Sequence, residues 1–512
     1  MALRRTTVFA ATALAVVGIL AAACSSSSSS SSSTTSGSSS SPSGLSSAPV
    51  TIKAVLPPNT GTITSTENAG LKQLTDEYEA AHKNVTVDWL PNNSASITQT
   101  NAQVETQASG GAAPDLVWEQ YGPVTSGSIP AGLLQNIKPY LEQPNPYVPG
   151  NTSWLSLFSP STIPYMTSPN GDVDIILGSN VETGMFYSKA AFAKAGITST
   201  PTSWADFIAD LGKLKAAGVT PIMFADGGLC NPSWFERLAT SSLLAGQVSQ
   251  FDVNHAQVTT GLDIAVGIQK GIISMNNPRY AEVWKLLGQL VGYSGGGESS
   301  YDACSPPTQT TPPLSTETLL VQGKVGIVWG GSWYFPQLNS LGFTGKYGVF
   351  PEPPITTAST PLALGTSTVG MIGGPNGNGQ WGVTSQQADS SMTAAKTAVV
   401  MNFLAWLFTP QHLGHWIEIN QAGADIPTET SAPTLNIPGL SSLVPTSRVG
   451  TVVDVVLDDV LSTAATNSGL RLVQEYIDGQ LNYSSFASQW QSLLTGAARQ
   501  WAANNHVNLS KY

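Results

Sequence analysis

From Val50 to Tyr512 the chain alternates short strand-like runs with amphipathic helical stretches, and it does so over about 460 residues. One hydrophobic core rarely serves more than roughly 250 to 300 residues, so the folded part has to divide into at least two lobes. Val50 to Leu56 reads as a strand, Glu67 to His82 carries Leu71, Leu74, Tyr78 and Ala81 on one helical face, and Asn84 to Leu90 alternates as a second strand. A polar helix over Ser94 to Ala108 ends at Gly110-Gly111, and Asp115 to Trp118 is a short buried strand. Beyond a Pro-rich stretch from Pro139 to Pro169, Val173 to Leu177 and Gly184 to Tyr187 read as strands. Ser203 with Asp206 three residues on is a helix start, followed by Trp204, Phe207, Ile208, Leu211 and Leu214 along one face. Val219 to Phe224 is the next strand, and helices are indicated at Ser233 to Leu244, Arg279 to Leu290, Thr316 to Gln322, Ala394 to Phe408, Gln411 to Ile419 and within Val452 to Ala502. Strands separated by helices predict an α/β fold with mostly parallel sheets, whose ligands sit at the strand ends.

Charged side chains make up only 10% of the chain, against about a quarter in an average soluble domain. The surface is therefore dressed in Ser, Thr, Asn and Gln, and with 21 basic against 32 acidic residues it offers no stripe to neutralise phosphates. Nucleic acid is excluded as a partner on that ground.

At the N-terminus, Arg4 and Arg5 precede an uncharged run from Val8 to Ala23 that ends in Leu20-Ala21-Ala22-Ala23-Cys24. The run is shorter than the roughly 20 residues a membrane-crossing helix needs, and its order of charge, apolar run and small residues is that of a signal peptide over 1–23. Small residues before a cysteine resemble the cleavage box of bacterial lipoproteins, in which the thiol is lipidated and becomes the new N-terminus. By that pattern Cys24 is the lipidation site and anchors the protein on the outer face of the cell membrane. Here Ala21 stands where the box usually has Leu, and the alternative is a secreted protein with a free Cys24. Residues 24–49, with nine consecutive serines from Ser25 to Ser33 and no charge, form a flexible tether with a reach of about 25 to 30 Å.

Cys230 and Cys304 both lie in the exported part, where oxidation permits one bridge between them, stabilising by roughly 4 kcal/mol if the geometry fits; two unpaired thiols are the alternative. No cysteine or histidine spacing calls for zinc, and no cofactor is indicated. His412, His415 and Glu418 share a helical face that reads as polar surface before it reads as a metal site. Gly292-Tyr293-Ser294-Gly295-Gly296 fits a nucleophile-elbow pattern but comes after a helix and before a Gly/Ser loop, the wrong context for a catalytic Ser294. Gly377 to Gly382 fits GxGxxG, yet the residues after it read as strand, so a hairpin loop is the better reading.

A family resemblance extends over nearly all of the chain from Val50 onward. It is carried by Leu71 to Glu79, Ala112-Ala113-Pro114-Asp115-Leu116-Val117-Trp118, Asn180-Val181-Glu182-Thr183-Gly184-Met185-Phe186-Tyr187-Ser188-Lys189, and Pro201-Thr202-Ser203-Trp204 leading into Leu214 to Pro221. Gln322 to Ile327 leading into Gly331-Ser332-Trp333, and Phe403 to Pro410, complete it. In order and spacing these segments resemble family 1 extracellular solute-binding proteins of ABC importers, the group of the maltose-binding and other sugar-binding proteins. The resemblance implies a type II periplasmic-binding-protein-like fold: two α/β lobes, a hinge crossed more than once, and a solute cleft between them. Lobe 1 is then expected over 50–180 plus 345–410 and lobe 2 over 181–344 plus 411–512. It also implies a non-enzymatic monomer that passes a carbohydrate to the permease subunits of the transporter.

A sugar presents a ring of hydroxyls and an apolar face, so the cleft needs planar polar groups around a flat aromatic wall. Trp333 matches the family's stacking tryptophan, and Glu182 with Asn180 matches a hinge-adjacent segment that bonds sugar hydroxyls. Trp118, Glu119 and Gln120 end the third strand, where the pattern places a ligand loop, and Asp226 and Trp234 come after the Val219 to Phe224 strand at a position that often carries a stacking aromatic. Gly423 and Asp425 lie near a cleft loop in relatives. Two other readings stay open: the same fold holding a polyol phosphate, a polyamine or a metal ion, and a surface glycoside hydrolase in which Glu119, Glu182 and Asp226 converge.

Overall fold

The computed structural model of the chain describes residues 47–56, 63–65, 68–92, 97–119, 128–160, 162–224, 232–253, 255, 259–291, 293, 316–332, 334–364, 373–374, 380–420, 426–428, 430–432, 455–477 and 479–512. The leader, Cys24, the tether up to residue 46, Cys230, Ser294 and Cys304 lie outside the described residues.

β1 (Val50–Val55), α1 (Ala69–Ala81) and β2 (Val85–Leu90) form the expected βαβ unit, the strands parallel with Val50 opposite Val85 and Val55 opposite Leu90. Leu71, Leu74 and Tyr78 are buried because residues three and four apart share a helix face, whereas Ala81 at the helix end is exposed. α2 (Ile97–Ser109), β3 (Leu116–Glu119), the short helices α3 (Lys138–Leu141) and α4 (Ile163–Met166), and β4 (Ile175–Leu177) come next.

Through Gly178 the chain passes directly into β5 (Ser179–Ser188), the central strand of a second sheet. Around it are built α5 (Lys189–Lys194), α6 (Trp204–Ala216), β6 (Thr220–Phe224), α7 (Pro232–Leu243), α8 (Gly261–Gln269), α9 (Pro278–Val291), α10 (Thr316–Val321), β7 (Val325–Gly331), α11 (Tyr334–Ser340), β8 (Tyr347–Phe350) and β9 (Gly373–Gly374). The chain then returns with β10 (Gln380–Val383), α12 (Ala394–Leu407) and α13 (Pro410–Asn420), and leaves again through β11 (Ile426–Pro427) to end in α14 (Thr463–Ile477) and α15 (Tyr483–Asn504).

The first sheet has the order β2-β1-β3-β10-β4, and the second has β11-β5-β7-β6 with β8 and β9 also paired to β5. Both sheets are mixed, in contrast to the mostly parallel sheets that the strand-helix alternation predicts. β10 runs antiparallel to β3 and β4, and β5 is antiparallel to β7, β8, β9 and β11. For β10 and β11 the reason is the wiring: they are supplied by a chain coming back from the other lobe, so no βαβ crossover sets their direction.

The expected lobe boundaries shift accordingly. β8 pairs with β5, and Phe350, Ile355 and Ala363 join the core of the second lobe, so 347–363 belongs there and not to lobe 1. Leu413 and Ile417 of α13 belong to the first core, so 411–420 belongs to lobe 1. Ser179 and Asn180 already pair in the second sheet, which puts the first crossing at Gly178.

Local signals hold where burial is one-sided. Ser203 caps α6, its hydroxyl accepting from the Asp206 N–H at 3.1 Å and donating to Asp206 Oδ2 at 2.8 Å, and Trp204, Phe207, Leu211 and Leu214 are buried while Ile208 is half-buried. α8 has no counterpart among the predicted helices. Residues 262–268 are all buried, so the helix carries no amphipathic period, and it is started by a capping box between Thr260 and Asp263.

Gly178 has no room for a side chain: a Cβ there would come within 2.3 Å of the Phe408 ring, itself fully buried. Gly178→Ala is therefore expected to destabilise by about 1–3 kcal/mol through overpacking, seen as a lower denaturant midpoint. The second-site change Phe408→Leu should recover part of that loss, since it removes the ring edge the methyl meets.

Candidate solute-binding floor at the lobe crossing

Three passages of the chain between the lobes lie side by side. In the first half of β5, Ser179 and Asn180 pair with Pro427 and Ile426 of β11, and Val181 and Glu182 pair with Gly374 and Gly373 of β9. The second half of β5 continues into the sheet of lobe 2, with Thr183 opposite Gly331 of β7. The third passage is also fastened to lobe 1: Thr428 Oγ1 donates to the Leu177 carbonyl at 2.5 Å, the Ser159 N–H donates to the Thr428 carbonyl at 3.0 Å, and the Thr430 N–H donates to the Leu157 carbonyl at 3.0 Å.

Around this crossing, polar side chains are buried with bonding capacity to spare. Asn180 and Glu182 stand two apart on β5 and so project to the same side. Asn180 Oδ1 is buried and has no hydrogen-bond partner among the described residues. Glu182 is 8% exposed, and its carbonyl accepts the Ser332 N–H at 2.8 Å, which places Ser332 beside it at the end of β7. Ser332 Oγ is likewise buried without a partner among the described residues. Gln380, the first residue of β10 and level with Glu119 and Leu177, is 2% exposed and its Oε1 is in the same position. A buried amide or hydroxyl left unpaired costs about 1–3 kcal/mol, so Asn180 and Ser332 on either side of Glu182 in the second sheet, with Gln380 at the strand ends of the first, make a candidate floor that a ligand rich in hydroxyls would satisfy.

Behind this floor lies a buried carboxyl. Glu352 Oε1 accepts from Thr183 Oγ1 at 2.5 Å and from Trp329 Nε1 at 3.0 Å. Burial pushes its pKa up to about 7, although the hydrogen bonds from Thr183, its own backbone and Trp329, together with the charge of Arg237, act in the opposite direction.

Of the residues expected in the site, Asn180 and Glu182 come together as described. Trp234 is half-buried on the first turn of α7 with its ring 6.1 Å from that of Trp329. Trp118 belongs to the core rather than to a ligand loop: it is 3% exposed, and strand pairing sets it opposite the buried Trp381. Glu119 closes β3 opposite Gln380. Trp333, Gln120, Asp226, Gly423 and Asp425 lie outside the described residues. Ser332, Gln380 and Glu352 are the members of this candidate set that sequence reasoning misses. Ser332 stands in plain view in Gly331-Ser332-Trp333, and Gln380 lies inside the GxGxxG-like segment that reads as a loop.

A separate cavity of about 350 Å³ opens between the lobes alongside α4, walled by Tyr165, Met166 and Ser168 from one side and Thr260, Leu262 and Trp501 from the other. None of the floor residues lines it. His412 faces inward from α13, its Nδ1 2.7 Å from the Trp406 carbonyl, and no group of three or more potential metal ligands occurs among the described residues.

Compared with known families, residues 62–412 match the bacterial extracellular solute-binding proteins. The chain belongs to that family. Among solved structures, a chitin oligosaccharide binding protein superposes with a TM-score of 0.61 at 17% identity, covering 88% of this chain and 99% of the other. The galacto-N-biose-/lacto-N-biose I-binding protein of the ABC transporter from Bifidobacterium longum gives 0.57 at 16%, covering 89% and 98%. The GacH receptor of Streptomyces glaucescens, solved unliganded and with acarbose, gives 0.57 at 14%, covering 88% and 98%. At such identities these likenesses establish the two-lobed fold alone. Searched against curated proteins, the sequence has no match. As in other solute-binding proteins the family name implies an extracytoplasmic setting, and no helix among the described residues is long and apolar enough to cross a membrane.

Proposed function

We propose that this solute-binding protein captures a carbohydrate between its lobes and delivers it, as a monomer, to the permease of an ABC importer. A lipid on Cys24 and the tether over 24–49 would hold it at the outer face of the membrane. The observation that carries the solute class is that buried polar atoms of Asn180, Ser332 and Gln380 have no hydrogen-bond partner among the described residues, with Glu182 buried between the first two. Amide, hydroxyl and carboxylate side chains supply donors and acceptors in the mixture a sugar ring presents. In this reading Trp333, Trp234, Glu119, Gln120 and Asp226 complete the walls, and the protein binds without transforming its solute. The named sugar ligands of several structural neighbours, among them chitin oligosaccharide, lacto-N-biose and acarbose, support the class and leave the individual sugar open. Closing on the ligand shifts the protein toward the state the permease reads, by no more than the solute's differential affinity for that state.

Thermal unfolding of the chain from residue 24 onward, carrying Cys24→Ser, against chitotriose, xylotriose, acarbose, raffinose, lacto-N-biose and galactose tests this. One sugar class should raise the melting temperature, by about 2.7 kcal/mol of stabilisation at 100 times its Kd, with no sugar consumed. Glu182→Ala should abolish that rise. A response to a polyamine or a polyol phosphate alone would replace the carbohydrate reading, and release of shortened sugars would replace binding with hydrolysis.

A further inference from the structure

Glu352 has a place in the fold that its burial alone does not account for. It lies two residues beyond β8, and one oxygen of its carboxyl group takes hydrogen bonds from two different strands, from Thr183 on β5 and from Trp329 on β7. Thr183 is the neighbour of Glu182 and, by strand alternation, turns to the opposite side of β5. Trp329 stands three residues before Ser332 and packs its ring against Trp234. The Ser332 N–H is in turn bonded to the Glu182 carbonyl, so the strands that Glu352 ties from behind are tied again at the floor itself.

Resting on the reading of that floor as the solute site, we propose that Glu352 is a positioning residue for solute binding: it fixes β5 and β7 relative to each other so that Glu182, Ser332 and Trp234 stand ready for the ligand. It touches no solute. The segment that carries it is itself anchored, because Thr360 Oγ1 donates to Glu282 on α9 at 2.8 Å and Arg279 on the same helix bonds the Leu362 carbonyl. The charge acting on Glu352 is that of Arg237 on α7, which is buried. The other ionisable groups on the elements packed around it are Glu236 on α7, Glu182 and Tyr187 on β5, and Tyr347 on β8, while β6 and β7 carry none. A carboxylate accepts stronger hydrogen bonds than a neutral carboxyl group. Because this carboxyl titrates near pH 7, its grip on Thr183 and Trp329 tightens as pH rises through that value.

Two measurements on the whole chain test this, one of them free of any ligand. In ¹⁵N-edited spectra without ligand, the Trp329 indole N–H resonance, assigned by its loss in Trp329→Phe, should shift with a midpoint near pH 7 and become pH-independent in Glu352→Gln. For whichever of chitotriose, xylotriose, acarbose, raffinose, lacto-N-biose or galactose stabilises the wild type, affinity should be about fivefold tighter at about pH 8 than at about pH 6. Glu352→Gln, which keeps an acceptor for both donors, should bind that sugar with a flat pH profile, and Glu352→Ala should bind it at least about tenfold more weakly at both pH values. A Trp329 resonance that does not titrate, an unchanged pH profile in Glu352→Gln, or wild-type affinity in Glu352→Ala with the chain folded each overturns the proposal. A wild type that binds none of the sugars would instead overturn the carbohydrate reading, and the indole titration would still decide whether Glu352 holds Trp329.

Discussion

Asp115→Ala is expected to lower the stability of the chain by about 3 kcal/mol, read as a fall in the urea midpoint without change in slope. Asp115 is 1% exposed and stands where β1, β3, β10 and α12 meet. Its Oδ1 accepts from Lys396 Nζ at 2.7 Å and its Oδ2 from the Lys53 backbone N–H at 2.8 Å, while its own backbone bonds Lys53 and Thr384. Alanine leaves a mostly buried ammonium without its counter-ion and a strand N–H without its acceptor, and each is costly in a site that water reaches poorly. Asp115→Asn, which can still accept from Lys53, should lose less. Lys396→Met should lose a comparable amount, because it leaves the more deeply buried carboxylate of Asp115 without its counter-ion, though still with the Lys53 hydrogen bond. If Asp115→Ala matches the wild type, the pair is a bystander and the Pro114-Asp115 segment is held by backbone alone.

Trp490→Ala acts on the other core and is expected to cost about 3–5 kcal/mol. The indole is fully buried on α15, edge-on to Trp284 at 4.5 Å between centroids and stacked on Phe486 at 5.6 Å. Its Nε1 donates to the Tyr280 hydroxyl at 2.9 Å, and that hydroxyl donates to the buried Glu236. Gly469 on α14 approaches the ring so closely that a Cβ there would lie 3.3 Å from it, so little is free to collapse into the space alanine would leave. Trp490→Phe keeps most of the volume and loses the N–H, and should cost clearly less than the alanine. Calorimetry distinguishes the two lobes here: the Asp115 change weakens the first core and the Trp490 change the second, so combining them should be nearly additive. A single transition lowered by both changes would mean that the lobes unfold as one cooperative unit.

A physical dividing line separates the elements legible in the sequence from the rest. α1 and α6 are legible because each buries one face and shows the other, and Ser203 because an N-cap is a local event. α8 is opaque for the opposite reason, being buried on every side. β9 and β11 are two residues long, too short for any period, yet they are the strands that fasten the crossing. The segment 347–363 reads as part of the wrong lobe because a boundary is a long-range fact, decided by β8 pairing with β5 more than 150 positions away in the chain. At the candidate site, family likeness points to Asn180 and Glu182, which stand together at the crossing, and to Trp118, which lies in the core, because a strand-end tryptophan looks the same whether it faces a cleft or a core. Ser332 and Gln380 escape notice because a serine and a glutamine become conspicuous only when the fold buries them with no partner among the described residues. The Ala113-Pro114-Asp115 motif, in the sequence a mark of kinship, is in the structure the knot of lobe 1.

The wiring of the sheets bears on how the molecule is made. β10 occupies the slot between β3 and β4, so a chain emerging from its N-terminus has synthesised all of β1 to β4 long before the strand that joins them exists. Until Val383 has appeared, the first sheet is split into two pieces with raw edges, and such unpaired edges invite aggregation. The second lobe waits longer still, for α14 and α15 at the very end. Neither core can therefore close until these late segments of the chain have been made.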